Sequence, residues 1–169
     1  MTIRLTTLRI SCVAKITKNF SLKEFTNSQS ATRLGIANQP ETEHLINICA
    51  LANNILQPVR EQFGIVTISS GYRSPELNSH PSINGSSKSQ HCKGQASDFE
   101  CFSVSNLELA EWIKDNLDFD QLILEFYDPE EGPNSGWIHC SYNIGGNRKQ
   151  VLTAKRIDGK VKYEEGLCP

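Results

Sequence analysis

No stretch of the 169-residue sequence approaches the roughly 20 consecutive apolar residues that a membrane-spanning helix needs. Nor does one sign of charge dominate. Lys plus Arg number 17 and Asp plus Glu 19, for a formal net charge of −2. A dedicated nucleic-acid binder carries surplus cations to neutralise phosphates, so no nucleic-acid partner is expected. The same balance gives no general pull toward an anionic membrane surface. Six cysteines are present but none forms a CxxC pair. That excludes a zinc ribbon, and their scatter does not suit a disulfide-stapled scaffold, which is shorter and denser in cysteine. Free thiols in a reducing compartment are expected. Internal repeats and low-complexity tracts are missing as well. At the N-terminus, Arg4, Thr6, Thr7 and Arg9 interrupt the apolar residues, so no secretory h-region forms and cytoplasmic synthesis is expected.

What remains is ordinary globular material, with 38% apolar and 21% charged residues in a length that suits one domain. The organisation expected is an N-terminal arm over 1–19, with an edge strand as its candidate structure, a domain over 20–155 and a peripheral tail over 156–169. Ser21 looks like the cap of a short helix within Phe20–Phe25. From Thr42 to Phe63 apolar residues recur at spacings of three and four, the signature of an amphipathic helix, with a kink expected at Pro58 and a stop at Gly64. Ile65–Ser70 is β-branched and reads as a strand. A long polar loop follows, from Gly71 to Lys93, and loops of that length in small domains usually carry function. Ala96–Phe102 reads as a second strand. Ser105 and Glu108 form a capping-box signal for a helix from about Asn106 to Leu117. Asp120–Tyr127 and Gly136–Tyr142 are expected to pair as an antiparallel hairpin, with Val151–Lys155 as a fifth strand. The fold class expected is α+β, a small and mainly antiparallel sheet with helices packed on one face.

The histidines that carry chemistry are His91 and His139. His91 ends the long loop, in Ser89-Gln90-His91-Cys92-Lys93-Gly94-Gln95-Ala96-Ser97-Asp98. Gly94 lets the chain turn into the strand, and Asp98 then shares a face with small Ala96. His139 lies on another strand with Trp137 and Ser141 on its face. Two imidazoles and one carboxylate are a sufficient set for a catalytic Zn²⁺ with a fourth position open to water. Cys140 and Cys101 face the opposite way and are expected in the core. Glu125 interrupts the apolar run Leu122-Ile123-Leu124-Glu125-Phe126, where a carboxylate is costly unless something compensates it. A neighbouring metal and its water would do so; a strand end meeting a surface lysine is the plainer alternative. Arg73, just past the first strand, offers a planar guanidinium suited to a carboxylate.

Taken together, Gly71-Tyr72-Arg73-Ser74, the stretch Ser89-x-His91-x-x-Gly94-x-Ala96-x-Asp98, and Trp137-Ile138-His139 resemble the zinc D-Ala-D-Ala carboxypeptidase family, peptidase family M15. The likeness is greatest to its phage and bacterial cell-wall peptidase branch and spans about Phe20 to Lys155. The resemblance implies a fold shared with the hedgehog signalling domain, a single Zn²⁺ and hydrolysis of an amide bond in peptidoglycan stem peptides, as in an endolysin aimed at the bacterial cell wall. By position it makes His91, Asp98 and His139 the zinc ligands and Arg73 a residue that binds or polarises substrate, with Tyr72, Ser89 and Trp137 lining the cleft. Several members place a catalytic Glu three residues before the last histidine, where this chain has Gly136. Glu125 is the replacement expected as general base. A monomer is expected. The rival class is a zinc-bearing, hedgehog-like binding module without catalysis.

Overall fold

The structure is a computed structural model and describes residues 14–169. The first thirteen residues of the expected N-terminal arm lie outside the described residues. The rest of that segment folds back on the domain: Ile16 and Thr17 donate to the Phe20 carbonyl, Lys15 bridges to Ser21, and the Thr17 hydroxyl meets Gln57.

Helix α1 (Leu22–Thr26) is short and starts at Ser21, whose backbone and hydroxyl both bond the Glu24 carboxylate. Helix α2 (Gln29–Leu34), within a polar stretch that shows no apolar period, is nucleated by the Ser28 hydroxyl accepting from the Ala31 amide. The long helix expected over Thr42–Phe63 is continuous but not uniform. It runs as α3 (Thr42–Leu51), a π segment (Ala52–Leu56) and α4 (Gln57–Phe63). Pro58 has no N–H to give and its ring crowds the preceding turn, and widening to π spacing accommodates that defect. Helix α5 (Pro75–Ser79) and a 3₁₀ turn (Gln90–Lys93) subdivide the polar loop. Helix α6 (Asn106–Asn116) begins at the predicted capping box, with Ser105 accepting from the Glu108 amide. Among the described residues no helix is long and apolar enough to cross a membrane.

Six strands form one sheet: β1 (Thr67–Ser70), β2 (Ala96–Glu100), β3 (Gln121–Glu125), β4 (Trp137–Ser141), β5 (Gln150–Ile157) and β6 (Lys160–Glu165), in the order β1-β2-β4-β3-β5-β6. Four neighbouring pairs are antiparallel and β3 with β5 is parallel, so the sheet is mixed. β5 is therefore not a simple return of the hairpin; it crosses back to the far side of β3. The C-terminal segment, expected only to be peripheral, adds the exposed edge strand β6.

Alternation along the strands separates two faces. Phe99, Cys101, Leu122, Leu124, Ile138 and Cys140 point to one side and pack against Ile48, Leu51, Ile55 and Val59 of the long helix and Leu109, Ala110 and Ile113 of α6. All of these are essentially buried. This single core supports the sheet from one side and leaves the intervening positions, Asp98, Ile123, Glu125, Trp137 and His139, on the other.

Candidate metal centre

Asp98 and His139 are direct cross-strand neighbours in the β2–β4 ladder. Opposed residues in such a pair share a face at close range, and His139 Nδ1 lies 2.8 Å from Asp98 Oδ1. His91 reaches the same carboxylate from the 3₁₀ turn, with Nε2 3.2 Å from Asp98 Oδ1. One ligand atom from each of the three lies within 4.8 Å of the others. The sequence pattern of loop histidine, strand carboxylate and strand histidine is thus a spatial cluster.

His91 is held for this role. Its Nδ1 is 2.7 Å from the Gly71 carbonyl oxygen. A carbonyl only accepts, so Nδ1 carries the proton. Burial lowers the His91 pKa, with Asp98 opposing that shift and His139 and Arg73 adding to it. The other ring nitrogen, Nε2, faces an Asp98 carboxylate oxygen. The two atoms are 3.2 Å apart, close enough for one cation to take both as ligands. Second-shell fixing of the distal ring nitrogen is also the usual support of a ligating imidazole. Burial by itself would raise the Asp98 carboxyl, but charge from His91 and hydrogen bonds from both imidazoles outweigh it and hold the group below the usual carboxylate range. The donor set of two nitrogens and one carboxylate suits Zn²⁺.

The cluster opens on a cavity of about 400 Å³ that also takes in Arg73, Ser89, Glu125 and Trp137. Glu125 faces Trp137 across the β3–β4 ladder, while Ile123 faces His139. Glu125 is therefore the diagonal neighbour of His139 on the same face. Burial first, and then the Asp98 charge, push the Glu125 carboxyl above its ordinary range, while His139 and Arg73 pull the other way. Glu125 is the last residue of β3, as the plainer expectation had it, but it makes no ion pair with a lysine among the described residues.

Arg73 is positioned through its backbone. Its amide donates to the His91 carbonyl at 3.3 Å. On either side of it, buried Asn38 bonds the Tyr72 carbonyl with Nδ2 and accepts from the Ser74 amide with Oδ1. The Arg73 Nε is buried with no hydrogen-bond partner among the described residues, as is the Trp137 indole nitrogen. Tyr72, expected to line the cleft, is not among the residues lining the cavity at the cluster. It is 3% exposed, belongs to the core and stacks on His44 at 5.4 Å between ring centroids. Its amide donates to the Phe25 carbonyl at 2.7 Å. Arg73 lines the cavity at the cluster and Tyr72 does not, whereas both line a neighbouring cavity beside β1.

Tyr163 of β6 lines the cavity too, and several further lining residues had no clear sequence signal: Lys88 and Gln90 of the polar loop and Gln121 of β3. Gln90 is held by Asp120, a buried carboxylate that accepts from Gln90 Nε2 at 2.8 Å and from Arg148 Nε at 2.9 Å and Nη2 at 2.6 Å. Tyr163 did have a readable cue. Asp158-Gly159 joins β5 to β6 with φ of 52° and 73°, the left-handed pair of a type I′ turn, and Asp-Gly between alternating runs is a strong hairpin signal.

Two imidazoles packed edge-on and a carboxylate, flanked by a half-buried second carboxylate and a guanidinium in one cavity, are the donor set of a metallohydrolase type of site. The sequence matches the peptidase M15 family model over residues 18–141, and the chain belongs to that family. Membership implies a metallopeptidase acting on a peptide substrate. No curated protein matches the sequence. All three cluster residues and Glu125 lie inside the matched segment, whereas β5 and β6 lie beyond it.

Proposed function

We propose that this chain is a zinc-dependent peptidase that hydrolyses an amide bond in the stem peptides of peptidoglycan. The observation that carries the reading is the convergence of His91, Asp98 and His139 on a cavity shared with Glu125 and Arg73. His91 Nε2, an Asp98 carboxylate oxygen and His139 Nδ1 are the atoms that would hold the ion. Bound Zn²⁺ would supply Lewis acidity, lowering the pKa of its water to about 7 and polarising the scissile carbonyl.

The chain's own residues then have distinct tasks. Glu125 is the general base: it takes a proton from the attacking water and delivers it to the leaving amine. Burial, and then the Asp98 charge, shift its pKa upward, the direction that makes a carboxylate a better proton acceptor. Arg73, which lines the cavity, binds a substrate carboxylate or steadies the developing oxyanion. Trp137 and Ser89 flank the peptide. The glycine at 136 does not favour a non-catalytic module, because a carboxylate is supplied from the facing strand. A cell-wall target fits a lysin-like role for the chain.

The test is turnover of purified peptidoglycan. Activity lost on chelation and restored by zinc, with new amino termini or released D-Ala identified by mass spectrometry, supports the reading and identifies the bond. Metal-loaded protein that leaves cell-wall peptides intact overturns it.

A further inference from the structure

Four residues lie in register across four strands. Trp137 of β4 faces Glu125 of β3, Glu125 faces Ala154 of β5, and Ala154 faces Tyr163 of β6. Registered neighbours present their side chains on the same face of a sheet. Between Glu125 and Tyr163 the row holds only the methyl group of Ala154, which is fully buried. The small side chain leaves the tyrosine ring free to lean over it, and Tyr163 lines the same cavity as His91, Asp98, His139, Arg73 and Glu125. Its ring remains 58% exposed, open to a ligand.

The other wall is unlike this one. Arg73 follows β1, at one edge of the sheet, and Tyr163 sits on β6, at the opposite edge. The cavity is thus bracketed by a cation on one side and a neutral donor on the other, with Glu125 and the histidine cluster between them. Partial burial and the Glu125 carboxylate both raise the phenol's pKa, so the O–H stays protonated and able to donate across the range in which a peptidase works. An acceptor that matches a neutral donor is a peptide carbonyl.

We propose that Tyr163 is a substrate-contacting residue whose phenol donates a hydrogen bond to a backbone carbonyl of the peptide lying over Glu125. This rests on the peptidase reading above. It assigns a binding role to the edge strand β6, outside the segment that defines family membership. The hairpin turn at Asp158-Gly159 sets the register that brings Tyr163, rather than Lys162 or Glu164, to the cavity.

The experiment compares zinc-loaded wild type with Tyr163→Phe, Tyr163→Ala and Lys162→Ala, the last altering the opposite face of β6. Zinc content, thermal midpoint and steady-state kinetics are measured on the stem peptide that the wild type cleaves, and the dissociation constant of that peptide is measured in the non-turnover Glu125→Gln background. Loss of one neutral hydrogen bond should raise KM and the dissociation constant about 2- to 12-fold in Tyr163→Phe, with kcat changed less and zinc and thermal midpoint unchanged. Lys162→Ala should match wild type. Wild-type KM and affinity in Tyr163→Phe overturn the proposal and leave the peptidase reading standing. Loss confined to Tyr163→Ala, together with a lower thermal midpoint, overturns it in favour of packing. A zinc-loaded wild type that neither binds nor cleaves stem peptides removes the peptidase reading, and this inference with it.

Discussion

A side chain at Gly136 would collide with the backbone of Glu125: a Cβ there would fall 2.0 Å from the Glu125 carbonyl oxygen and 2.6 Å from the Phe126 carbonyl carbon. Gly136 also has φ of +65°, a conformation that favours glycine. A carboxylate cannot be placed at this position without displacing β3. The strand pair instead carries one at Glu125, opposite Trp137. The absence of a glutamate three residues before His139 thus has a geometric cause at Gly136 itself.

That relationship predicts that Gly136→Ala destabilises the fold and that Gly136→Glu does so more strongly. Left-handed strain in a non-glycine residue costs about 1–3 kcal/mol, and contact with backbone that cannot swing away adds to it. Chemical denaturation should show a lower midpoint for both variants. Gly136→Glu should also fail to restore turnover when combined with Glu125→Gln. Wild-type stability in Gly136→Ala would contradict the steric argument.

Metal content separates ligands from bystanders. His91→Ala, Asp98→Ala and His139→Ala should each lose stoichiometric zinc after dialysis against a weak chelator. Cys92→Ser should retain it, since Cys92 is not among the clustered residues. Full zinc in any of the three variants would remove that residue from the ligand set.

Arg73 should matter for turnover more than for folding. Its guanidinium has a buried Nε without a partner among the described residues, so little native bonding is lost on truncation. A hydrogen bond to a charged group is worth about 1.5–3 kcal/mol, and Arg73→Ala should lower kcat/KM by roughly 10- to 150-fold on that range. Arg73→Lys should recover only part, because an ammonium cannot reproduce the planar fork. Unchanged kinetics in Arg73→Ala would end the assignment.

Much of this site was legible because it sits where local rules act strongly. The capping boxes at Ser21 and Ser105, the period of the long helix and the strand alternation placing Asp98 and His139 on one face are short-range signals. The burial of Tyr72 could not be read from its adjacency to Arg73. Its outcome depends on a bond from its amide to Phe25, far away in sequence. The parallel pairing of β5 with β3 is likewise a non-local choice that alternation cannot reveal. Asn38 and Asp120 were invisible for a related reason. Each is one polar residue whose partners, the chain around Arg73 and the Gln90–Arg148 pair, are brought together only by the fold.

Asp120 gives a pH-dependent prediction. Hydrogen bonds from Arg148, opposed by burial and supplemented by Gln90, hold its carboxyl below the ordinary range. A depressed folded-state pKa contributes stability that is present above the unfolded value near 4 and is lost as pH falls through the folded one. Asp120→Asn should therefore be less stable than wild type in urea at pH 7, and the gap should narrow as the pH falls from about 5 toward the acid limit of folding. A gap independent of pH would mean that the ionised carboxylate is not what stabilises this corner.

Glu125 should show the opposite sign, coupled to catalysis. Burial raises its folded-state pKa, with the Asp98 charge reinforcing the shift. A raised pKa contributes stability that is fully present below the unfolded value, near 4.3, and is lost as pH rises through the folded value. At pH 7 the ionised carboxylate therefore opposes folding of the metal-free protein. Glu125→Gln keeps the shape and removes the charge, so the metal-free variant should equal or exceed wild type in urea at pH 7, with the difference shrinking toward pH 4. Turnover should move the other way. General-base catalysis typically contributes about 10²- to 10⁴-fold, and the zinc-loaded variant should lose activity on that scale while keeping its metal. Near-normal turnover would pass the base role to another group. Lost zinc would make Glu125 a ligand or a support for one. A variant less stable at pH 7 would show that the carboxylate is compensated within the fold, by a partner other than the metal site.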